Sequence, residues 1–357
     1  MNCCEKCFKD IELIAIIQGK QRKGNCDICK SKVVYIYDMD TDEGLDVLFD
    51  DFLSIYKPKS MLPDSFPNSK LCFLKDELVH NWNMFDLDST QVYHLLSCLM
   101  EKQFPMKIKL LDEPVGIPQL ADLDFIANNS ILKSYSWEEF VEYIKHENRF
   151  HSAHINYDVL DEFLKGLIVT IKKGSKLYRG RISNDKDLKI IEMGAPPQEK
   201  ATAGRANSEG ISHLYLTTHI DTAIREIRPG EQDRVYIGEF ILDEDLVIVD
   251  LRSLESISVF QGFDKLRYAL NLSNIKKISN EISKPVRRND SKLDYLPTQY
   301  IVDYIKSKRI EKEFEHCVGI GFKSTLCHRG HNIMIFNPEI LDCNDLTSRV
   351  ISQVIYN

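Results

Sequence analysis

The sequence has 357 residues, of which 43% are hydrophobic and 28% are charged. This length favours two or three domains, and no apolar stretch approaches the roughly 20 residues that a membrane-spanning helix needs. The N-terminus, MNCCEKC, lacks the apolar core of a signal peptide, so we expect a cytoplasmic protein without membrane contact. The formal net charge of −8 argues against broad nucleic-acid binding, but a local arginine cluster can still bind a small anion.

The first 37 residues contain a cluster of cysteines. Cys4 and Cys7 form one Cys-x2-Cys pair, Cys26 and Cys29 form a second, and eighteen residues separate the pairs. This spacing predicts two chelating turns that share one tetrahedral Zn²⁺ ion. Four thiolates fill the coordination shell, so the zinc is expected to be structural. Cys3 could take the place of Cys4, and the spacing leaves this choice open. We therefore predict a zinc module over residues 1–37.

Residues 38–172 predict a mostly helical region. Apolar residues recur at helical spacing in segments 38–51, 71–79, 90–103, 137–150 and 157–171. The last of these is followed by Lys172, Lys173 and Gly174, a combination that commonly ends a helix.

The pattern of apolar and polar residues changes at Gly174. Segments 175–181, 212–217, 234–250, 316–323 and 331–336 read as strands, and segments 218–228, 266–282 and 298–307 read as helices. The predicted fold class is α+β: the zinc module and the helical region precede a domain of mixed strands and helices over residues 173–357.

Six short motifs follow one another between residues 174 and 345. They are Leu177–Arg181 (LYRGR), Gly204–Asn207 (GRAN), Leu214–Tyr215 (LY), Thr222–Pro229 (TAIREIRP), Tyr295–Gln299 (YLPTQ) and Gly319–Ser324 (GIGFKS). In this order they resemble the RES domain family, which is named after an arginine, a glutamate and a serine. The resemblance implies a fold similar to that of ADP-ribosyltransferases. It also implies cleavage of the nicotinamide–ribose bond of NAD⁺ by phosphate or water, as an NAD⁺ phosphorylase or glycohydrolase.

The resemblance identifies Arg179, Glu226 and Ser324 as the catalytic candidates. Glu226 is expected to stabilise positive charge on the ribose. Arg179 is expected to bind the pyrophosphate, and Ser324 to orient an arginine, a phosphate oxygen or an incoming phosphate. The candidates for binding NAD⁺ are Arg205 at the pyrophosphate, Tyr215 as a stacking ring, and Asn207.

The resemblance also suggests a biological role and leaves alternatives open. Many RES proteins are toxins that deplete NAD⁺ and are opposed by an antitoxin, which implies a growth-arrest or phage-defence role. The partners expected are NAD⁺, inorganic phosphate, and an antitoxin or regulatory protein, and a homo-oligomer stays open. One alternative is an ADP-ribosyltransferase that modifies a macromolecule. Another is an inactive protein whose zinc module binds a partner.

Two further patterns carry less weight. Arg149 and His154 have the spacing of the catalytic motif of HEPN ribonucleases, and the region that precedes long RES domains has been likened to HEPN. Alternatively, His151 and His154 cap a helix or satisfy a core hydrogen bond. A group of His and Cys residues fits no standard chelate spacing; its members are His316, Cys317, Cys327, His328 and His331.

Overall fold

The computed structural model describes residues 1–103, 109–252, 257–262, 264–285, 290–308, 314, 316–327 and 329–353. The chain forms two compact units. One comprises Met1–Ser134 and Glu255–Asn274, and the other comprises Tyr135–Leu254 and Ile275–Asn357. The predicted helical region, 38–172, is thus divided between the two units. Among the described residues, no helix is long and apolar enough to cross a membrane.

The first unit begins with a small antiparallel sheet that holds the cysteines. Strands β1 (Asn2–Cys4), β2 (Lys23–Gly24) and β3 (Val34–Asp38) lie in the order β1-β3-β2. Helix α1 (Ile11–Gly19), which the sequence analysis did not predict, begins after Asp10, whose carboxylate accepts two backbone N–H bonds. This is the hydrogen bonding that a helix N-terminus requires.

The rest of the first unit is mainly helical, as predicted. Phe8 of the cysteine segment packs against Phe85 and Phe49, with ring centroids 5.2 Å and 6.5 Å away. The cysteine segment and the following helices therefore share one apolar core. The elements are α2 (Leu45–Leu53), β4 (Lys57–Pro58), α3 (Leu74–His80), α4 (Ser89–Gln103), α5 (Lys109–Asp112), β5 (Val115–Gly116) and α6 (Leu123–Asn129).

The second unit begins with two helices and a strand. Helix α7 (Trp137–His146) starts with a capping box, and α8 (Tyr157–Lys165) follows. The predicted helix over 157–171 is wrong beyond Lys165, because β6 (Ile168–Ile171) pairs with a later strand. Its four residues are Ile, Val, Thr and Ile, whose β-branched side chains favour strands once a sheet edge is available to them.

Within the described part of the chain, eight strands of the second unit form one sheet in the order β13-β9-β7-β8-β12-β11-β10-β6. Neighbouring strands are antiparallel except for the β10–β11 pair. The predicted strands are confirmed, and β13 was not predicted. The remaining strands are β7 (Lys176–Ile182), β8 (Leu214–Thr217), β9 (Arg234–Ile241), β10 (Leu246–Asp250), β11 (Cys317–Lys323), β12 (His331–Ile335) and β13 (Asp345–Val350).

Three helices accompany this sheet in the chain: α9 (Ile220–Ile227), α10 (Lys265–Ser283) and α11 (Leu296–Lys308). The residues of α10 up to Asn274 belong to the first unit. Gly180 of β7 lies so close to α9 that a Cβ there would be 2.7 Å from the Ala223 carbonyl oxygen. This glycine therefore permits α9 to pack directly on the strand. The predicted α+β class is confirmed.

Candidate functional site

A cleft of about 830 Å³ lies where β7 and β8 separate. The two strands share one register pair, Tyr178 with Thr217, whereas β7 pairs with β9 over seven residues. Residues of both strands line the cleft beyond that pair. Its lining includes six basic side chains and one carboxylate in a chain whose formal net charge is −8. This balance favours an anionic ligand. The charged residues are Arg179, Arg181, Lys200, Arg205, Glu226, Arg228 and Lys284.

Glu226 supplies that carboxylate, from helix α9. Its Oε1 accepts a hydrogen bond from Ser324 Oγ at 2.7 Å and another from Asn332 Nδ2 at 2.8 Å. The Ser324 hydroxyl is itself fixed, because its oxygen accepts the backbone N–H groups of Leu326 and Cys327. The described residues donate no hydrogen bond to Oε2 of Glu226. One oxygen is thus held in place and the other is available to a ligand in the cleft.

Arg179 of β7 is a mostly buried cation in the same cleft. Its Nη1 is buried and has no hydrogen-bond partner among the residues described. Burial, followed by the nearby positive charge of Arg181, lowers the pKa of Arg179 to about 10. A buried charge without a partner is unfavourable. An anion bound beside Arg179 would remove this penalty.

The segment Gly204–Asn207 forms a tight loop at the cleft. Gly204 N–H donates to the Asn207 carbonyl at 3.0 Å. Buried Gln299 of α11 donates through Nε2 to the carbonyl oxygens of Gly204 at 2.7 Å and Asn207 at 2.9 Å. Thr298 Oγ1 donates to the Arg205 carbonyl at 2.7 Å. The loop conformation is therefore fixed by two neighbouring side chains of α11.

Tyr215 and Asn207 are bonded to each other. The Tyr215 hydroxyl donates to Asn207 Oδ1 at 2.7 Å, and burial raises the pKa of Tyr215. Asn207 Nδ2 donates to loop carbonyls, the nearest being that of Thr202 at 2.9 Å. These contacts give Asn207 a structural role in the loop. The ring of Tyr215 still lines the cleft.

Arg205 also lines the cleft, but its guanidinium has a partner. It forms an ion pair with Asp290 at 3.0 Å and lies over the Tyr295 ring, 5.2 Å from the centroid. It also lines a neighbouring cavity of about 470 Å³. Its Nε is buried and has no hydrogen-bond partner among the described residues, so Arg205 keeps a donor for a ligand, although Asp290 offsets its charge.

Residues 178–351 match the family model of the RES domain. The second half of this chain contains a RES domain. The match covers the cleft-lining strands and includes Arg179, Glu226 and Ser324, so the resemblance seen in the sequence is confirmed. It begins after α7, α8 and β6, which precede the RES domain within the same compact unit. No curated protein matches the chain.

Four residues of the RES domain had no role assigned from the sequence. Thr298 and Gln299 were visible as part of the YLPTQ motif, and Arg181 as part of LYRGR. No sequence motif pointed to Asn332, because its contact with Glu226 joins positions 106 residues apart. Its remaining oxygen, Oδ1, is buried and has no hydrogen-bond partner in the described part of the chain. Asn332 can therefore hold Glu226 and accept a hydrogen bond from a ligand.

For the NAD⁺ cleavage that the sequence resemblance implies, we expect Asn332→Asp to lower the rate about tenfold or more at neutral pH, because the amide donor to Glu226 is replaced by a second carboxylate. Two adjacent carboxylates raise the pKa of the pair. As the pH falls through this raised pKa, the pair binds one proton and regains a donor toward Glu226. Activity should then recover on acidification, unlike that of the unaltered protein. pH–rate profiles test this, with exposed Asn337→Asp as the control. The positioning role would be contradicted if the pH–rate profile of Asn332→Asp had the same shape as that of the unaltered protein and differed only in a lower rate at every pH.

The cysteines of the first unit form a second candidate site. The Sγ atoms of Cys4, Cys7, Cys26 and Cys29 all lie within 4.8 Å of one another. Three of the separations are 3.8, 3.4 and 3.5 Å. A tetrahedral zinc with Zn–S bonds of about 2.3 Å requires S–S distances of about 3.8 Å. The four thiols therefore fit such an ion. Cys3, although buried, is outside this group.

The structure also locates the described residues of the two remaining sequence patterns. His154 packs against the rings of Tyr135 and Tyr143, and its Nδ1 lies 3.3 Å from Ser152 Oγ. Arg149 is exposed, and no hydrogen bond or ion pair joins these two described residues. His328 lies outside the described residues. Among those described, no grouping of His316, Cys317, Cys327 and His331 has the geometry of a metal site.

Proposed function

We propose that this protein is an NAD⁺-degrading enzyme that cleaves the nicotinamide–ribose bond. A RES domain indicates an NAD-related, toxin-like function at the level of the family. The observation that carries the proposal is Glu226. One oxygen of this carboxylate is fixed by Ser324 and Asn332, and the other has no donor among the described residues of a basic cleft. NAD⁺ combines the two features that such a cleft recognises, an anionic pyrophosphate and a sugar that becomes cationic during cleavage.

In the proposed reaction, the bond between ribose C1 and the nicotinamide nitrogen breaks and its electron pair neutralises the nicotinamide. The sugar then resembles an oxocarbenium ion. The free oxygen of Glu226 stabilises this charge, and its fixed orientation means that no reorganisation is needed in the transition state. An oxygen of phosphate or water bonds to C1, and the acceptor loses a proton. Arg179 holds the pyrophosphate, and Tyr215 supplies a ring for stacking.

Ser324 acts in this proposal through Glu226. The sequence left open whether Ser324 orients an arginine, a phosphate oxygen or an incoming phosphate. Its 2.7 Å hydrogen bond to Glu226 supports the orientation of the carboxylate instead. Asn207 supports the loop and the Tyr215 ring. Arg205, whose charge is offset by Asp290 but whose Nε has no partner among the described residues, is a further phosphate-binding candidate.

The proposal is tested by incubating the purified full-length protein with NAD⁺, with and without inorganic phosphate, and separating the products. Free nicotinamide with ADP-ribose 1″-phosphate indicates phosphorolysis, and nicotinamide with ADP-ribose indicates hydrolysis. Label from NAD⁺ that remains attached to protein or nucleic acid would support the alternative, an ADP-ribosyltransferase. Intact NAD⁺ under all conditions would contradict the proposed activity and favour an interaction protein.

We further propose that the four-cysteine group binds Zn²⁺ and that this ion is structural. All four coordination positions are filled by thiolates, so none remains for a substrate.

In the cell, the enzyme would act as a growth-arrest or phage-defence effector restrained by an antitoxin or regulatory protein. Expression of the active and the Glu226→Gln chains in the same host tests this role, since only the active chain should deplete NAD⁺ and stop growth.

A further inference from the structure

Arg179 and Arg181 form a pair of basic side chains on one face of β7. Because they are two residues apart on a strand, their side chains share a face and their Cα atoms are about 6.6 Å apart. Both line the cleft. Nη1 of Arg179 and Nε of Arg181 are buried without a hydrogen-bond partner among the described residues. Burial lowers the pKa of both side chains.

The surrounding carboxylates do not neutralise this pair. Glu226 is bonded to Ser324 and Asn332. Glu192 favours the charged form of Arg181, but its carboxylate forms an ion pair with Lys186 and accepts the Lys189 backbone N–H. Within the described ranges, neither Arg179 nor Arg181 has an ion pair.

Arg181 is held in place although its charge is not neutralised. Its Nη2 donates to the Gly194 carbonyl at 2.7 Å, which fixes the guanidinium beside the cleft. Arg205 differs, because its guanidinium is paired with Asp290. The two arginines of β7 are therefore better prepared for an anion than Arg205 is.

We propose that Arg179 and Arg181 together bind two neighbouring phosphate groups, and that Arg181 is a specificity-determining residue for a diphosphate. Guanidinium groups bind phosphate oxygens through paired, charge-assisted hydrogen bonds. Two of them side by side match a pyrophosphate better than a single phosphate. The assignment rests on the proposed function for the identity of the substrate as NAD⁺, but the chemistry it requires is that of any nucleoside diphosphate.

The test is calorimetric binding of ADP to the full-length chain, alongside the Arg181→Met, Arg181→Lys and Arg349→Met variants. ADP carries the diphosphate but cannot be cleaved at a nicotinamide bond. Arg181→Met should weaken ADP binding about tenfold or more, as expected for loss of charged hydrogen bonds. The ADP affinity of Arg181→Lys should lie between those of the unaltered chain and Arg181→Met, because lysine keeps the charge but cannot form the paired contact. Arg349 is exposed on β13, outside the cleft, so Arg349→Met removes the same charge and should leave ADP affinity unchanged.

Thermal melting shows whether Arg181→Met still folds without the Gly194 contact; if it does not, the Arg181→Lys affinity decides. Unchanged ADP affinity in the folded Arg181 variants, an equal loss in Arg349→Met, or no ADP binding by the unaltered chain would overturn the assignment. Cleavage of NAD⁺ is measured separately. A chain that binds ADP through Arg181 but leaves NAD⁺ intact would refute the proposed activity and retain the diphosphate site. NAD⁺ cleavage by the unaltered chain, together with normal ADP binding by Arg181→Met, would support the proposed activity and refute the diphosphate site.

Discussion

Glu226→Gln should slow the release of nicotinamide from NAD⁺ by about a hundredfold or more, because preorganised charge stabilisation is commonly worth that much. The amide keeps the size of the side chain, and its oxygen can still accept hydrogen bonds from Ser324 and Asn332. It loses the negative charge that opposes the developing sugar cation. NAD⁺ affinity should change little, since the phosphates are bound by other residues. Turnover under saturating NAD⁺, together with calorimetric affinity, separates the two effects.

The matched control is Glu231→Gln, which makes the same change at an exposed residue outside the cleft. It should retain full turnover. A Glu226→Gln chain that releases nicotinamide at the rate of the unaltered protein would leave Glu226 as a structural acceptor for Ser324 and Asn332. A chain that no longer binds NAD⁺ would place Glu226 in ground-state binding instead of transition-state stabilisation.

Cys26→Ser should abolish stoichiometric zinc binding and destabilise the first unit. Zinc binding to four-ligand sites in small modules is worth roughly 10–16 kcal/mol, and most of this free energy supports folding. The loss should extend beyond the cysteine segment, because Phe8 shares a core with Phe49 and Phe85. Elemental analysis measures the zinc, and protease sensitivity of the first unit reports its folding.

Cys343→Ser is the control for this prediction, since Cys343 lies outside the four-cysteine group. It should keep its zinc and its resistance to protease. Full zinc content in a folded Cys26→Ser chain would show that another residue completes the site. Freshly purified protein without zinc would show that the group holds a different metal or none.

The success of the sequence analysis depended on how local each signal was. Each Cys-x2-Cys turn is a local chelate, so its spacing predicted a cluster of thiols that the structure confirms. The choice between Cys3 and Cys4 needed the strand geometry of β1. Segment 157–171 misled because its helical pattern continues into residues that pair with β10, a strand more than seventy positions later.

The candidate site could be predicted only as far as its motifs reach. The short motifs singled out Arg179, Glu226 and Ser324, and the structure places these residues in or beside one cleft. The motifs could not show which acidic side chain forms an ion pair with which basic side chain. Arg205 and Asp290 are 85 residues apart in the sequence, and nothing in either neighbourhood predicts their ion pair. The hydrogen bond of Asn332 to Glu226 is invisible for the same reason.

The single register pair between β7 and β8 has a thermodynamic consequence. On one side of this pair, β7 is followed in the sheet by β9 and β13. On the other side, β8 is followed by β12, β11, β10 and β6. Tyr178 and Thr217 therefore form the junction between two groups of strands. Arg179 belongs to one group and Asn332 to the other. A ligand that contacts both resists their separation and stabilises the folded unit by about 1.4 kcal/mol for each tenfold excess over its dissociation constant. Amide hydrogen exchange at this junction therefore reports occupancy of the cleft without any turnover.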